Sequence, residues 1–465
     1  MKKLFAPIDA ASLGMFRILF GALMAWQAWY FLEKSRYVSY FLKPGFHFTY
    51  ELFPFVRPLP APYFVALLVA MLAAAILISL GLYYRFAVLS YLLGFSYIFL
   101  LDKAYYNNHY YAIILLCFLM LFVDGTNWAS LDALRRPRPA VVPYWQLFLL
   151  RAQVFVVYFF GGIAKLNSDW LHGEPMRHWL VKSSGLPVVG PLLTTPWAPY
   201  FFSWGGLAFD LSIGFLLWWR KTRLWAFFAI LFFNLTNSLL FQIGVFPFLM
   251  IATATLFDEP DWPRKILPLQ SPAPDLSLAT GLDARRGAVT AFVFLYLGLQ
   301  FFLPLRHWLY PGEVSWTEQG HYFSWHMKLR DKSGHLKFYA GDAKTGALEE
   351  VDPGLELNSF QRAKLIQRPQ FIYQYAQHLK DQLLARGVAE PMVRVDAWVS
   401  LNGRPLQQAI DPTVNLASTP SSLWRGDPWI LPLDPNSRPG TLSYEEWEAQ
   451  KKGPREERGP EGQEP

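Results

Sequence analysis

Residues Val154–Leu171 read VFVVYFFGGIAKLNSDWL, an apolar run that ends in Lys165 and passes at once into a polar turn carrying Asn167, Asp169 and Trp170. Such a run has the character of a membrane helix reaching one surface of the bilayer. Two readings of Lys165 stand side by side. A lysine at a helix end snorkels its ammonium to the headgroups and anchors the span. A lysine partly removed from water serves as a base. The stretch alone favours the anchor, since ionisable residues are commoner at helix ends than in helix centres.

Working outward, a chain of 465 residues that is 53% hydrophobic and 17% aromatic is too apolar for an ordinary soluble domain. The net charge of +7 is scattered among apolar segments. That pattern suits loops facing anionic lipid and argues against a nucleic-acid partner. Cys117 is the single cysteine, so neither an intramolecular disulfide nor a cysteine metal site is expected, and no metal is predicted. Apolar stretches near membrane length fall at Leu13–Leu32, Tyr63–Leu82, Phe86–Leu101, Tyr110–Val123, Trp145–Ala164, Pro199–Trp219, Leu224–Leu239, Phe241–Phe257 and Ala288–Leu305. The fold class expected is therefore a polytopic α-helical membrane protein of about eight or nine spans.

Loop charges orient it. With Lys2 and Lys3 inside as part of a retained first span, Arg85, Arg135–Arg138, Arg220–Arg223 and the Pro263–Arg286 connector are cytoplasmic too. The N-terminus is then cytoplasmic and the polar part after Arg306 extracytoplasmic, as in an integral protein of a bacterial inner membrane. Residues 1–305 form the expected membrane domain and 306–435 a β-rich domain. Phe323–Leu329, Leu336–Ala340 and Val393–Leu401 read as strands, and Phe360–Arg386 has helical spacing. Residues 436–465, rich in Pro, Gly and charge, read as a disordered tail.

Polar residues inside apolar runs are the informative set: Arg17, Arg151, Gln153, Asp210, Asn234, Asn237 and Gln242. Each is costly in hydrocarbon, so they are expected to pair with one another, for instance Arg17 or Arg151 with Asp210, or to face a cavity. At the membrane edge, Leu101–Tyr111 (LDKAYYNNHYY) sets Asn107, Asn108 and His109 among tyrosines, a group suited to gripping a flat polar ring.

These stretches resemble vitamin K-dependent γ-glutamyl carboxylase and its bacterial homologues, whose membrane part is called the horizontally transferred transmembrane domain. The likeness runs in order through Leu13–Phe31, Leu101–His109, Gln153–Trp170, Asp210–Leu216, Asn237–Phe246 and Asp261–Leu267, then through Phe323–Met327, Asp352–Gly354 and Asp396–Leu401 to Asp411-Pro412. It implies that Lys165, in the pattern G-x-x-K-L-x-x-D-W, is the base that deprotonates vitamin K hydroquinone (phylloquinone or a menaquinone). It places Asn107, Asn108 and His109, the last also catalytic, at the quinone together with Asn234 and Asn237. It implies further that the quinol reacts with O2, that the resulting base removes a γ-proton from Glu, and that CO2 adds while the 2,3-epoxide forms. The partners implied are the lipid bilayer, a Glu-containing peptide or protein, and a quinone reductase. Trp325, His326, Arg330 and Arg404 are candidates for the Glu substrate. Where the animal enzyme has a His, this chain has Asn234, and the animal enzyme's extra C-terminal region and disulfide are missing. Two rival readings remain: an epoxidase without carboxylation, and a non-catalytic quinone or lipid binder or small-solute transporter. The latter would favour paired repeats with broken helices, and none are evident.

Overall fold

The computed structural model describes residues 2–241, 243–267, 286–422 and 425–451. Gln242, most of the Pro263–Arg286 connector and the tail from residue 452 lie outside the described residues. The chain divides into two compact units, residues 1–163 with 208–304, and residues 164–207 with 305–465. Residues 164–207, expected within the membrane domain, group with the C-terminal part.

Among the described residues, seven helices are long and apolar enough to cross a membrane: Ala11–Ser35, Ala61–Leu80, Tyr84–Leu101, Tyr144–Ala164, Ala198–Trp218, Arg223–Phe241 and Arg286–Leu309. The protein is thus a polytopic helical membrane protein with a sheet-containing C-terminal region. Two of the nine expected segments form the shorter apolar helices Asn108–Met120 and Phe246–Phe257. At ~1.5 Å rise per residue, a helix of 13 residues falls short of a hydrocarbon layer of about 30 Å.

In the first unit the helix Ala11–Leu32 lies against Ala61–Leu80. A Cβ at Gly21 would stand 2.5 Å from the Ser79 backbone nitrogen, so only glycine permits this approach. Arg17 is fully buried. Its guanidinium donates to the carbonyls of Ile78 at 2.8 Å and Gly125 at 2.9 Å, and also to Ser79 and Ala129. Arg151 likewise donates to Leu256 O at 2.7 Å and Asp258 O at 2.8 Å. Among the described residues neither arginine pairs with Asp210 as expected; both are held by carbonyls instead. Carbonyls at helix ends lack intrahelical partners and carry the negative pole of the helix, so they satisfy a buried cation without a second charge. Gln153 accepts a hydrogen bond from the Tyr296 hydroxyl at 2.6 Å. Near the N-terminus, β1 (Pro7–Asp9) pairs with β2 (Val141–Pro143), and Arg264 donates to Asp9 at 2.7 Å.

In the second unit a sheet of order β4-β3-β5-β6 is built from β3 (Lys332–Asp342), β4 (Leu348–Val351), β5 (Pro391–Leu401) and β6 (Gln407–Gln408), all antiparallel. Phe338, Val393, Val395 and Ala397 share one buried face through the pairings Phe338 with Val395 and Ala340 with Val393. The helix Pro369–Ala385 covers that face with Phe371, Ile372, Tyr375 and Leu379, spaced for one helical stripe. The predicted single helix Phe360–Arg386 is two, Ser359–Gln367 and Pro369–Ala385, because Pro369 pushes Arg368 out of the helical region to φ −130°, ψ 105°.

The β-rich expectation thus becomes a mixed helix-and-sheet domain. Phe323–Leu329 is no strand. It is a run of turns with Phe323, Trp325 and Lys328 at positive φ, and its alternating apolar residues serve the core rather than a ladder. Within the span assigned to the tail, Tyr444–Lys451 forms a helix whose Trp447 is fully buried.

Candidate functional site

In the first unit the edge segment resolves into scaffold and free end. Asp102 accepts from the Ala104 backbone N–H at 2.8 Å and caps the short helix Lys103–Tyr105, while the buried Lys103 ammonium is tied to Glu51. These charges hold the loop. They leave Asn107 exposed, with its amide donating to Tyr105 O at 3.1 Å, and Asn108 accepting from the Tyr106 hydroxyl at 3.1 Å.

His109 is half-buried, its ring 4.6 Å from that of Tyr110 and 5.9 Å from that of Phe246, centre to centre. Among the described residues neither of its ring nitrogens is hydrogen-bonded. An imidazole with free nitrogens between aromatic faces fits a planar ring bearing oxygens, such as a quinol. Asn234, buried, donates to Ile230 O of its own helix at 2.9 Å and faces the Tyr158 hydroxyl at 3.5 Å. Asn237 is half-buried. In the same unit an apolar groove of about 520 Å³, lined by Phe148, Phe155, Phe215, Trp218, Leu297 and Phe301, has the chemistry of a hydrocarbon-chain site.

In the second unit Lys165 is the first residue past the helix Tyr144–Ala164. It is only 6% exposed, which a snorkelling anchor would not be. Its ammonium lies 5.2 Å from the centre of the Trp170 ring, a cation–π placement. The turn that presents it is closed by Asn167, which donates to Ala164 O at 2.9 Å and accepts from Trp170 N at 3.0 Å. Trp170 in turn donates through its indole to Ser203 O at 2.7 Å.

The same unit gathers three imidazoles and an excess of cations around one carboxylate. His326 is buried, with ring centres of His307 at 4.6 Å and His321 at 5.9 Å. Burial, then the charges of His307 and Arg330, push His326 down to about 3, with Lys165 adding to the effect, so its ring is neutral at physiological pH. Burial raises the Glu318 carboxyl, but Arg330 and Lys332 outweigh it and hold the group down to about 2. Burial lowers Lys332 to about 8 and, with Arg368 and Arg330 beside it, Lys364 to about 7. Sequence reasoning missed Glu318, His321 and His307. The run Thr317–His321 looks like a solvated loop, yet its side chains are buried.

Three expectations for the Glu substrate change. Arg330 grips Glu318 with two nitrogens and also reaches His321 Nε2 at 2.9 Å. Arg404 is 5% exposed and holds Asp169 in a two-point pair at 2.6 and 2.7 Å. Both guanidiniums are thus engaged by internal carboxylates, one of the ways in which a buried cation is satisfied. Trp325 is fully buried and belongs to the core. His326 is the one of the four candidates that the cationic cluster surrounds.

The fold is that of a polytopic helical membrane protein with a sheet-containing C-terminal region, in which Lys165 and His326 are buried. The chain belongs to the vitamin K-dependent γ-carboxylase family: residues 5–262 match the HTTM domain and residues 285–436 match the vitamin K-dependent gamma-carboxylase, lumenal domain. With membership come an enzyme of the γ-carboxylase type, dependence on vitamin K, and an extracytoplasmic C-terminal domain. No solved structure matches the chain.

Proposed function

We propose that the protein oxidises vitamin K hydroquinone with O2 and couples this to carboxylation of Glu side chains. The observation that carries the reading is the buried Lys165 ammonium, poised over Trp170 in the unit that also holds neutral His326. Bound vitamin K hydroquinone, oxidised by O2 to its 2,3-epoxide, supplies the base that takes the γ-proton of Glu, after which CO2 adds to the substrate carbon.

The chain's own residues do the rest. His109 and Asn108 hold a ring oxygen by hydrogen bonds. Lys165 accepts the phenolic proton at its Nζ, and the aromatic surroundings keep competing water away. The Glu carboxylate docks at His326 with Arg368 and Lys364, where cations outnumber Glu318. A quinone reductase in the same membrane regenerates the quinol.

Replacement His326→Ala tests the substrate assignment. The CO2 fixed per epoxide formed is expected to fall about tenfold or more, in line with the loss of a hydrogen bond to a charged group. An unchanged ratio removes His326 from the substrate site.

The orientation proposed is a cytoplasmic N-terminus and Arg135–Arg138 loop, supported by the loop charges. Arg136 and Ser359 are both exposed, and the native Cys117 is buried, so a membrane-impermeant thiol reagent reads single variants cleanly. In intact cells Ser359→Cys is expected to react and Arg136→Cys to be protected; reaction of both from one side contradicts this topology.

A further inference from the structure

Arg404 and Asn402 lie in the turn after β5, far along the chain from the Lys165 turn, yet they meet it. Arg404 Nη1 and Nη2 donate to the two oxygens of Asp169 at 2.6 and 2.7 Å, and Asn402 Nδ2 donates to Asp169 Oδ2 at 2.8 Å. Each of these partners is itself fixed. Arg404 also donates to Leu401 O and Ser437 O, both at 3.1 Å, and Asn402 Oδ1 accepts from the Asp331 backbone N–H at 2.8 Å. Asn402 and Gly403 sit at φ 51° and 72°, the left-handed conformation that asparagine tolerates and glycine prefers. A Cβ at Gly403 would stand 2.5 Å from the His178 ring, so the turn leaves no slack.

Asp169 follows Lys165 by one helical turn's worth of chain, and between them Asn167 bonds both Ala164 O and Trp170 N. Trp170, the next residue, is the ring beneath the Lys165 ammonium and is pinned to Ser203 O. A two-point guanidinium–carboxylate pair sets orientation as well as position. Asp169 is thus held one residue before the ring that the Lys165 ammonium faces, so the clamp bears on how that ring is presented.

We propose that the Asp169–Arg404–Asn402 clamp is a positioning device for Lys165, through which the turn after β5 of the extracytoplasmic domain sets the base for quinol oxidation. The inference rests on the reading of Lys165 as the base. It reverses the role that the sequence suggested for Arg404: loss of Arg404 strikes the quinone half-reaction itself, whatever the Glu substrate.

The test uses the full-length protein in detergent or lipid and measures epoxide formation without peptide. Arg404→Gln is expected to lower kcat at least about tenfold while the KM for quinol stays within about twofold, since misplacing a reacting group costs rate and not binding. Arg404→Lys, which keeps the charge and loses the two-point geometry, is expected to fall between the two. Asn402→Ala, which removes one bond and leaves the ion pair, gives a smaller loss and covers the case in which Arg404→Gln fails to fold.

The deciding arm is Lys165→Ala assayed with added ethylamine. A free amine needs no clamp, so its rescued rate is expected to be the same with Arg404 and with Arg404→Gln. Wild-type kcat in both Arg404→Gln and Asn402→Ala, or an equal loss from Arg404→Gln in the amine-rescued background, overturns the positioning role. Wild-type epoxidation by Lys165→Ala overturns the base reading and the clamp with it, an outcome distinct from failure of the clamp alone.

Discussion

Lys165→Ala is expected to remove epoxide formation, with a fall of about 10²–10⁴-fold, the range for losing a positioned general base. The expectation follows from burial and from what the residue touches. Lys165 is 6% exposed, its ammonium lies on Trp170, and the turn around it is closed by Asn167. A headgroup anchor would be wet and replaceable by neighbouring interfacial residues, so its loss would cost little activity. Membrane insertion and the folded state are expected to survive, because Arg404 and Asn402 still hold Asp169 and the helix Tyr144–Ala164 contributes the span. The measurement is epoxide yield at neutral pH beside a thermal melt of the purified variant. Normal turnover would return Lys165 to the role of an anchor.

His109→Ala is expected to lower quinol oxidation about 10²–10³-fold at saturating quinol, the scale for deleting one hydrogen-bond donor to a developing oxyanion. The ring rests between Tyr110 and Phe246 and makes no hydrogen bond among the described residues, so its removal leaves no buried group stranded and the fold is expected to hold. Asn108→Ala should cost less, because Asn108 Oδ1 is also engaged by the Tyr106 hydroxyl. Epoxide formation read at several quinol concentrations separates the two effects. Wild-type rates for His109→Ala would leave the ring-gripping role without support.

The membrane architecture was legible because hydropathy over about 20 residues is a local property, and Lys165 stood out because a charge closes an apolar run. What was not legible depends on long-range pairing. Nothing near Arg17 in the chain says that the carbonyls of Ile78 and Gly125 will satisfy it, and composition favoured Asp210 only because opposite charges attract. Arg404 looked like a cation awaiting substrate since its carboxylate partner, Asp169, is 235 residues away.

Turns explain another miss. Phe323–Leu329 alternates like a strand, yet Phe323, Trp325 and Lys328 adopt positive φ, which alternation of polarity does not report. The short helix Asn108–Met120 shows the limit of span counting, for apolar residues there line a bundle without the length to cross it. Conversely, the D-W of the G-x-x-K-L-x-x-D-W pattern carried a signal that the sequence alone left unread: Asp169 ties down the turn and Trp170 receives the ammonium.

The central claim, quinol oxidation coupled to Glu carboxylation, is tested most directly by one incubation of the purified protein with reduced vitamin K, O2, labelled bicarbonate and a Glu-containing peptide, with epoxide and fixed CO2 measured separately. The expected result is epoxide formation that requires O2 and fixed label on the peptide that requires both quinol and O2. Epoxide without fixed label would reduce the protein to an epoxidase, and the absence of both products from folded protein that still binds quinone would contradict the account outright.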